Sequence, residues 1–152
     1  MKDSRLGGMG AIGLVFMLLA KASILAELSF RKEFLYVLLF YPCWSRWALS
    51  FAACNYPVAE EEGMAYFFKT GQKPAYSIFA GSFTLVVLIL MPNVFYLAVL
   101  ASFTALLFCC RQVQARLGGQ TEDAYGLSST VAELTFLLVS VFTTGLLSGI
   151  GG

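Results

Sequence analysis

Histidine is absent from this 152-residue chain, and that gap removes much familiar chemistry. The commonest general base, the usual catalytic triads and most zinc sites all depend on an imidazole. Any metal would be held by carboxylate and carbonyl oxygens, donors that suit Mg²⁺ or Mn²⁺. Charge is scarce too: 12% of the residues are charged, where an ordinary soluble domain carries roughly 25%. A net charge of +1 argues against a nucleic-acid partner, which demands a basic face. The four cysteines, Cys43, Cys54, Cys109 and Cys110, form no CxxC pair. All lie in or beside apolar segments and read as small buried hydrophobes, with a disulfide or lipidation at Cys109-Cys110 as the alternative.

What the chain has instead is oil. Hydrophobic residues make up 59% of it, and the mean hydropathy is +0.77. One small core cannot hide that much apolar surface, so lipid is the expected solvent. The expected fold is all-α: residues 1–152 form a single integral-membrane domain, a polytopic transmembrane bundle of about five spans. A span needs about 20 largely apolar residues. The first candidate runs from Gly8 to about Leu28, and the second from Phe34 to Pro57 with Arg46 inside it. Tyr76 to Cys110 is a long apolar run that Pro92-Asn93 divides into two shorter spans. The last runs from about Leu127 to Ile150. A secretory signal peptide is an alternative for the N-terminus, but Asp3 and Lys21 both weigh against cleavage.

Five spans put the N-terminus, the 58–75 loop and the 111–126 loop on one face. That face carries Lys2, Arg5, Lys69, Lys73, Arg111 and Arg116, and the other only Arg31 and Lys32. The positive-inside rule makes the richer face cytoplasmic. RLGG occurs at Arg5–Gly8 and again at Arg116–Gly119, too short a repeat to argue duplication.

Charges inside a span are costly unless paired or wet, so they mark function or pairing. Arg46 lies near the middle of the second span, in a stripe with Pro42, Ser50 and Cys54. It either turns inward to grip a phosphate or carboxylate, or it snorkels or pairs structurally. Glu133 lies in the last span with Ser129, Ser140 and Thr144 on one polar stripe, which must face other helices or a water-filled cavity. An Arg46–Glu133 ion pair would explain both residues. Lys21 and Glu27 read as snorkelling side chains. Glu60, Glu61 and Glu62 read as a solvated acidic run, with a metal site as the alternative.

The loop ARLGGQTEDAYG, residues 115–126, is the least oily stretch beside a span. Gly118 and Gly119 would let backbone N–H groups approach an anion. Thr121 offers a hydroxyl, Asp123 a metal-seeking carboxylate, and the next helix its positive end. Arg116 can hold a phosphate. Lys2, Asp3 and Arg5 offer similar chemistry ahead of Gly7, Gly8 and Gly10. Acids, cations and exposed backbone on one face suit Mg²⁺-assisted phosphoryl chemistry, which requires no histidine. The bland reading is a turn and a helix N-cap.

Taken in order, these motifs resemble the C-terminal portion of the cobalamin synthase family, the adenosylcobinamide-GDP ribazoletransferases. The family's KDSRxGxxG is matched by Lys2-Asp3-Ser4-Arg5-Leu6-Gly7 with Gly10, and its PxxxR by Pro42 and Arg46. Its proline before an acidic stretch and glycine is similar to Pro57, Glu61, Glu62 and Gly63. Its GGxTGDxxG followed by a glutamate is met by Gly118, Gly119, Thr121, Asp123, Gly126 and Glu133.

The resemblance implies a transferase of cobalamin biosynthesis, multi-pass in the cell inner membrane, with its active face cytoplasmic. Its substrates would be adenosylcobinamide-GDP and α-ribazole or its 5′-phosphate, its cofactor Mg²⁺, and its released product GMP. Asp3, Arg5 and Asp123 would be catalytic, with Asp3 and Asp123 on the metal. Lys2, Arg46, Arg116, Gly118, Gly119, Thr121 and Glu133 would bind substrate. Self-association is allowed but not required.

Three departures stand out. The family's aspartate-rich DGLAD element has no counterpart, Glu122 replaces the glycine before Asp123, and Glu60 stands where arginine is usual. The alternatives to the enzyme are a small transporter or channel subunit and a non-catalytic membrane scaffold.

Overall fold

The computed structural model describes residues 8–59, 63–71 and 73–150. Among these the expected all-α class is found: α1 (Gly8–Leu28), α2 (Phe34–Asn55), α3 (Met64–Gly71), α4 (Pro74–Ile89), α5 (Tyr96–Leu117) and α6 (Glu122–Ile150). Each boundary has a local cause. Pro74 opens α4 at a first-turn position, where its missing N–H is no loss. Pro92 separates α4 from a 3₁₀ turn at Asn93–Phe95, which leads straight into α5. Gly118, at φ 77°, ends α5 in the left-handed region that favours glycine.

α5 and α6 share the most extensive interface, α2 packs on α6, and α4 packs on α2. The inward face of α2 carries Val37, Phe40, Trp44, Ala48 and Ala52, a helical period that leaves Leu35, Tyr36, Leu38 and Leu39 outside. Phe40 stacks on Trp44 at 5.8 Å between centroids and tilts against Phe136 at 4.9 Å. The buried alanines Ala48, Ala52, Ala98 and Ala132 suit close approach of backbones in an apolar solvent, where packing rather than water drives association. One polar relay crosses three helices. The Trp44 indole N–H donates to Ser102 Oγ at 2.7 Å, and Ser102 donates to the Ala132 carbonyl. Gly81 lets α4 approach α2, since a Cβ there would sit 2.8 Å from Trp47 Nε1.

The expected number of spans is only partly met. Among the described residues, two segments are long and apolar enough to cross a membrane: Asn93–Leu117, of 25 residues, and Glu122–Gly145, of 24. α4, at 16 residues, is about 24 Å long, short of a hydrocarbon layer of about 30 Å. α2 has the length, 22 residues, but Arg46 and its tyrosines and tryptophans dilute its apolar character. α6 differs from expectation in the other direction. It starts at Glu122 rather than Leu127, and its 29 residues reach about 43 Å, so its first turns can project beyond the hydrocarbon.

Replacing Ser102 with alanine should strand the buried Trp44 N–H and cost about 1–3 kcal/mol. Reversible unfolding in mixed detergent micelles measures it, and an unchanged midpoint would remove the relay from the core's supports.

Candidate functional site

The site lies where α5 ends and α6 begins. After Gly118, whose N–H donates to the Gln114 carbonyl at 2.9 Å, the chain runs against the segment that leaves α2. Gln120 N–H donates to the Pro57 carbonyl at 2.7 Å, and Ala59 N–H donates to the Gln120 carbonyl at 3.0 Å. The result is an isolated parallel bridge between Val58 and Gln120. Gly119 makes it possible, since a Cβ there would fall 2.5 Å from the Val58 carbonyl carbon and the Ala59 nitrogen. Its smallness therefore serves a neighbouring strand of backbone, where the sequence suggests an anion.

Past the bridge, Thr121 caps α6. Ala124 N–H donates to Thr121 Oγ1 at 3.3 Å, and Tyr125 N–H donates to the Thr121 carbonyl at 3.1 Å. The loop does end in a turn and a helix cap, but the capping side chain is Thr121, and Asp123 already lies within the helix. Glu122 and Asp123 follow in the first helical turn, both exposed, where the helix dipole favours acids. The departure from the family's Gly-Asp does not stiffen a loop. Glu122 is simply the first helical residue.

The same turn is held from the other side. Gly63, at φ 109°, lies so that a Cβ would be 3.7 Å from Glu122 Oε1. The segment leaving α2 therefore touches the start of α6 at both Val58–Ala59 and Gly63. Glu60, Glu61 and Glu62 between them lie outside the described residues, as do Lys2, Asp3 and Arg5. Close by, Lys69 Nζ donates to the Tyr56 carbonyl at 2.6 Å and ties α3 to the end of α2. Burial, and after it the Cys110 thiol, push the Tyr56 phenol above its usual range, while the Arg111 charge works against the rise. Its folded pKa is raised, so the phenol stays protonated throughout the neutral range.

Beneath the turn sits a polar cluster that sequence reasoning missed. The Gln120 side chain is fully buried, with Nε2 donating to the Cys110 carbonyl at 3.4 Å and Oε1 left without a partner. The Cys110 thiol lies 3.6 Å from Ser128 Oγ. Nothing about a glutamine between GG and T signals burial, because the bridge that turns it inward joins distant loops. On the outer side an apolar groove of about 620 Å³ runs between α5 and α6, lined by Phe108, Cys109, Val113 and Leu127, with Gln112 and Arg116 as its polar lining.

Two expectations about intramembrane charge need correction. Arg46 does not meet Glu133. It is exposed on α2, about 200° around the helix from Trp44, on the face turned away from α6. Pro42 shares that outward stripe. The partner of Glu133 is Lys21, with Nζ 2.9 Å from Oε2. Lys21 therefore pairs across helices instead of snorkelling. The signal lay in the spacing, since both residues stand a similar distance into helices that start at the same end. The stripe on α6 turns inward at Glu133, Ser140 and Thr144, which are buried, while Ser129 is only half-buried. Ser140 donates to the Phe136 carbonyl at 2.7 Å and Thr144 to the Ser140 carbonyl at 2.8 Å.

This arrangement offers carboxylates, a helix N-terminus and a polar interior at one end of an apolar bundle. Among the described residues no three histidine, cysteine or acidic side chains gather to hold a metal. Comparison with known proteins agrees with the motifs. Residues 1–141 match the family model described as cobalamin-5-phosphate synthase. The chain belongs to this family.

An adenosylcobinamide-GDP ribazoletransferase of Citrobacter koseri is 34% identical over 143 residues, covering 91% of this chain and 57% of the relative. A protein of the same name from Desulfitobacterium hafniense is 34% identical over 145 residues, covering 91% and 56%. That of Escherichia coli K12 is 32% identical over 143 residues, covering 91% and 57%. The chain thus spans little more than half the length of these relatives. No solved structure matches it.

The two loop glycines should respond unequally. Gly119→Ala must break the Val58–Gln120 bridge and expose the 57–63 segment to limited proteolysis. Gly118→Ala, which meets no atom within 4 Å, should cost only the about 1–2 kcal/mol of a left-handed residue and leave the cleavage pattern unchanged. Equal protease sensitivity in the two variants would remove the bridge from the site's supports.

Proposed function

We propose that this chain supplies the membrane domain of an adenosylcobinamide-GDP ribazoletransferase in cobalamin biosynthesis. The observation that carries the reading is the convergence at the start of α6. A family-matching chain there brings the Gly118–Asp123 turn against Pro57–Ala59 and Gly63. In this reading a free ribose hydroxyl of α-ribazole, other than the 5′ position that is blocked in its 5′-phosphate, attacks the phosphorus bonded to cobinamide. The bond from that phosphorus to the GMP oxygen breaks, the hydroxyl proton leaves, and adenosylcobalamin (or its phosphate) and GMP result.

The exposed Asp123 carboxylate beside a helix N-terminus fits Mg²⁺, which typically takes one or two carboxylates, several waters and substrate phosphates. Asp123 and Asp3 would hold the ion, which when bound neutralises charge on the diphosphate. Arg5, Lys2 and Arg116 draw the diphosphate oxygens to the same end, and Arg116 is exposed in the last turn of α5. The α6 N-terminus adds its dipole. Gly118, Gly119 and Thr121 act by holding the turn in shape. Arg46 lies on the face of α2 turned away from α6 and is left to the bundle's surroundings, while Glu133 contributes from below through Lys21.

The membrane arrangement follows the same logic. α1, α2 and α4 join the two membrane-capable segments as spans, with the cation-rich end cytoplasmic in the inner membrane. Substrates then arrive from the cytoplasm. In vesicles of known orientation, cysteines introduced at Lys69 and Thr121 should react with an impermeant maleimide from one side, and a cysteine at Lys32 from the other. Labelling of the first two from opposite sides would end the shared-site reading.

The activity test uses the chain joined to the part of the Citrobacter koseri relative that it does not match. In nanodiscs, adenosylcobinamide-GDP and α-ribazole should yield GMP in step with corrinoid product, only with Mg²⁺. Asp123→Asn should lower kcat about 10²-fold. Unchanged turnover and Mg²⁺ dependence in that variant would refute the metal role.

A further inference from the structure

We propose that Lys21 and Glu133 are positioning residues. Their ion pair sets the register of α1 against α6 and thereby holds the start of α1 level with the Thr121–Asp123 turn. The proposal rests on the functional reading above for its consequence, though its geometry stands alone.

Lys21 Nζ lies 2.9 Å from Glu133 Oε2, and the two side chains are only 23% and 11% exposed. Such a pair inside an apolar bundle is strongly directional, because neither charge has water to fall back on. α1 needs a directional contact. Its described packing is chiefly against α6, and only Ile24 and Leu28 among its described side chains are buried. Ile12, Val15, Phe16, Leu18 and Leu19 are exposed. An apolar face of this kind slides in lipid with little penalty, since lipid tails are as oily as the partner helix. The ion pair supplies what packing does not.

The direction of the two helices is visible from a second contact. Beyond the end of α1, Arg31 Nη2 would lie 3.8 Å from a Cβ on Gly145, far along α6. With Lys21 beside Glu133 and Arg31 beside Gly145, α1 and α6 run the same way. At 1.5 Å per residue, Lys21 stands about 20 Å from Gly8, and Glu133 about 17 Å from Glu122. The lysine stem easily absorbs the difference. Gly8 is therefore level with the start of α6 to about one helical turn. A slip of α1 by one turn would move Gly8 by about 5.4 Å, more than a diphosphate contact tolerates.

The test places p-benzoylphenylalanine at Leu25, one turn beyond Lys21, in the full chain in nanodiscs, and maps its crosslinks by mass spectrometry. The unaltered pair should crosslink to a narrow window of α6 around Leu137. Lys21→Met should spread that window or shift it by about one turn. Lys21→Arg should keep it, as should the exchange Lys21→Glu with Glu133→Lys. In the joined enzyme, Lys21→Met should raise KM for adenosylcobinamide-GDP about tenfold or more with a smaller change in kcat, and the exchange should restore it.

An unchanged crosslink window in Lys21→Met would overturn the proposal. So would an exchange variant whose well-folded protein, judged by its unfolding midpoint, fails to restore the window. Because crosslinking reads register without turnover, absence of ribazoletransferase activity in the unaltered protein would refute the preceding section and leave this proposal standing.

Discussion

In an apolar chain every polar group must find its partner inside the protein, and this bundle is organised by that constraint. Water is the default partner for a stray N–H or charge in a soluble protein, and a lipid-facing helix has no such recourse. The hydroxyls of Ser140 and Thr144 accordingly turn back onto the α6 backbone, the Trp44 N–H reaches Ser102 on α5, and Lys21 reaches Glu133. The Trp44 and Lys21 contacts join different helices and are directional, so each also fixes a helix in rotation and height. Specific geometry at the site end is a by-product of satisfying polarity in the middle.

The same constraint explains what could be read from the sequence. α1 emerges at Gly8–Leu28, as its largely apolar run implies, and the break between α4 and α5 falls at Pro92 because proline cannot continue a helix. The polar stripe on α6 faces inward as its spacing requires. Period alone could not orient Arg46. The stripe Pro42, Arg46, Ser50 and Cys54 is genuine, but the larger aromatics on the opposite side of α2 claim the interior. The eight-residue α3 was hidden within a loop because a helix that short has too few positions for a period to show. Gln120 was hidden because its burial comes from a backbone bridge between segments far apart in sequence, which no local pattern encodes.

At the site the glycine motif divides its labour. Gly118 stops a helix, Gly119 admits a neighbouring backbone, and Thr121 starts the next helix. A motif read as a ligand cradle is first of all a joint, which places Asp123 and the α6 N-terminus against the segment that leaves α2. This also explains why a glutamate is tolerated at position 122, where ordinary helical backbone needs no glycine and an acid suits the dipole.

The bridge between Val58 and Gln120 has a temporal meaning as well. Its halves leave the ribosome far apart, with α3, α4 and α5 emitted between them. The joint at the start of α6 therefore closes only after α5 has been synthesised and inserted. A nascent or mis-inserted molecule lacks it, so the Val58–Gln120 contact is a marker of completed assembly.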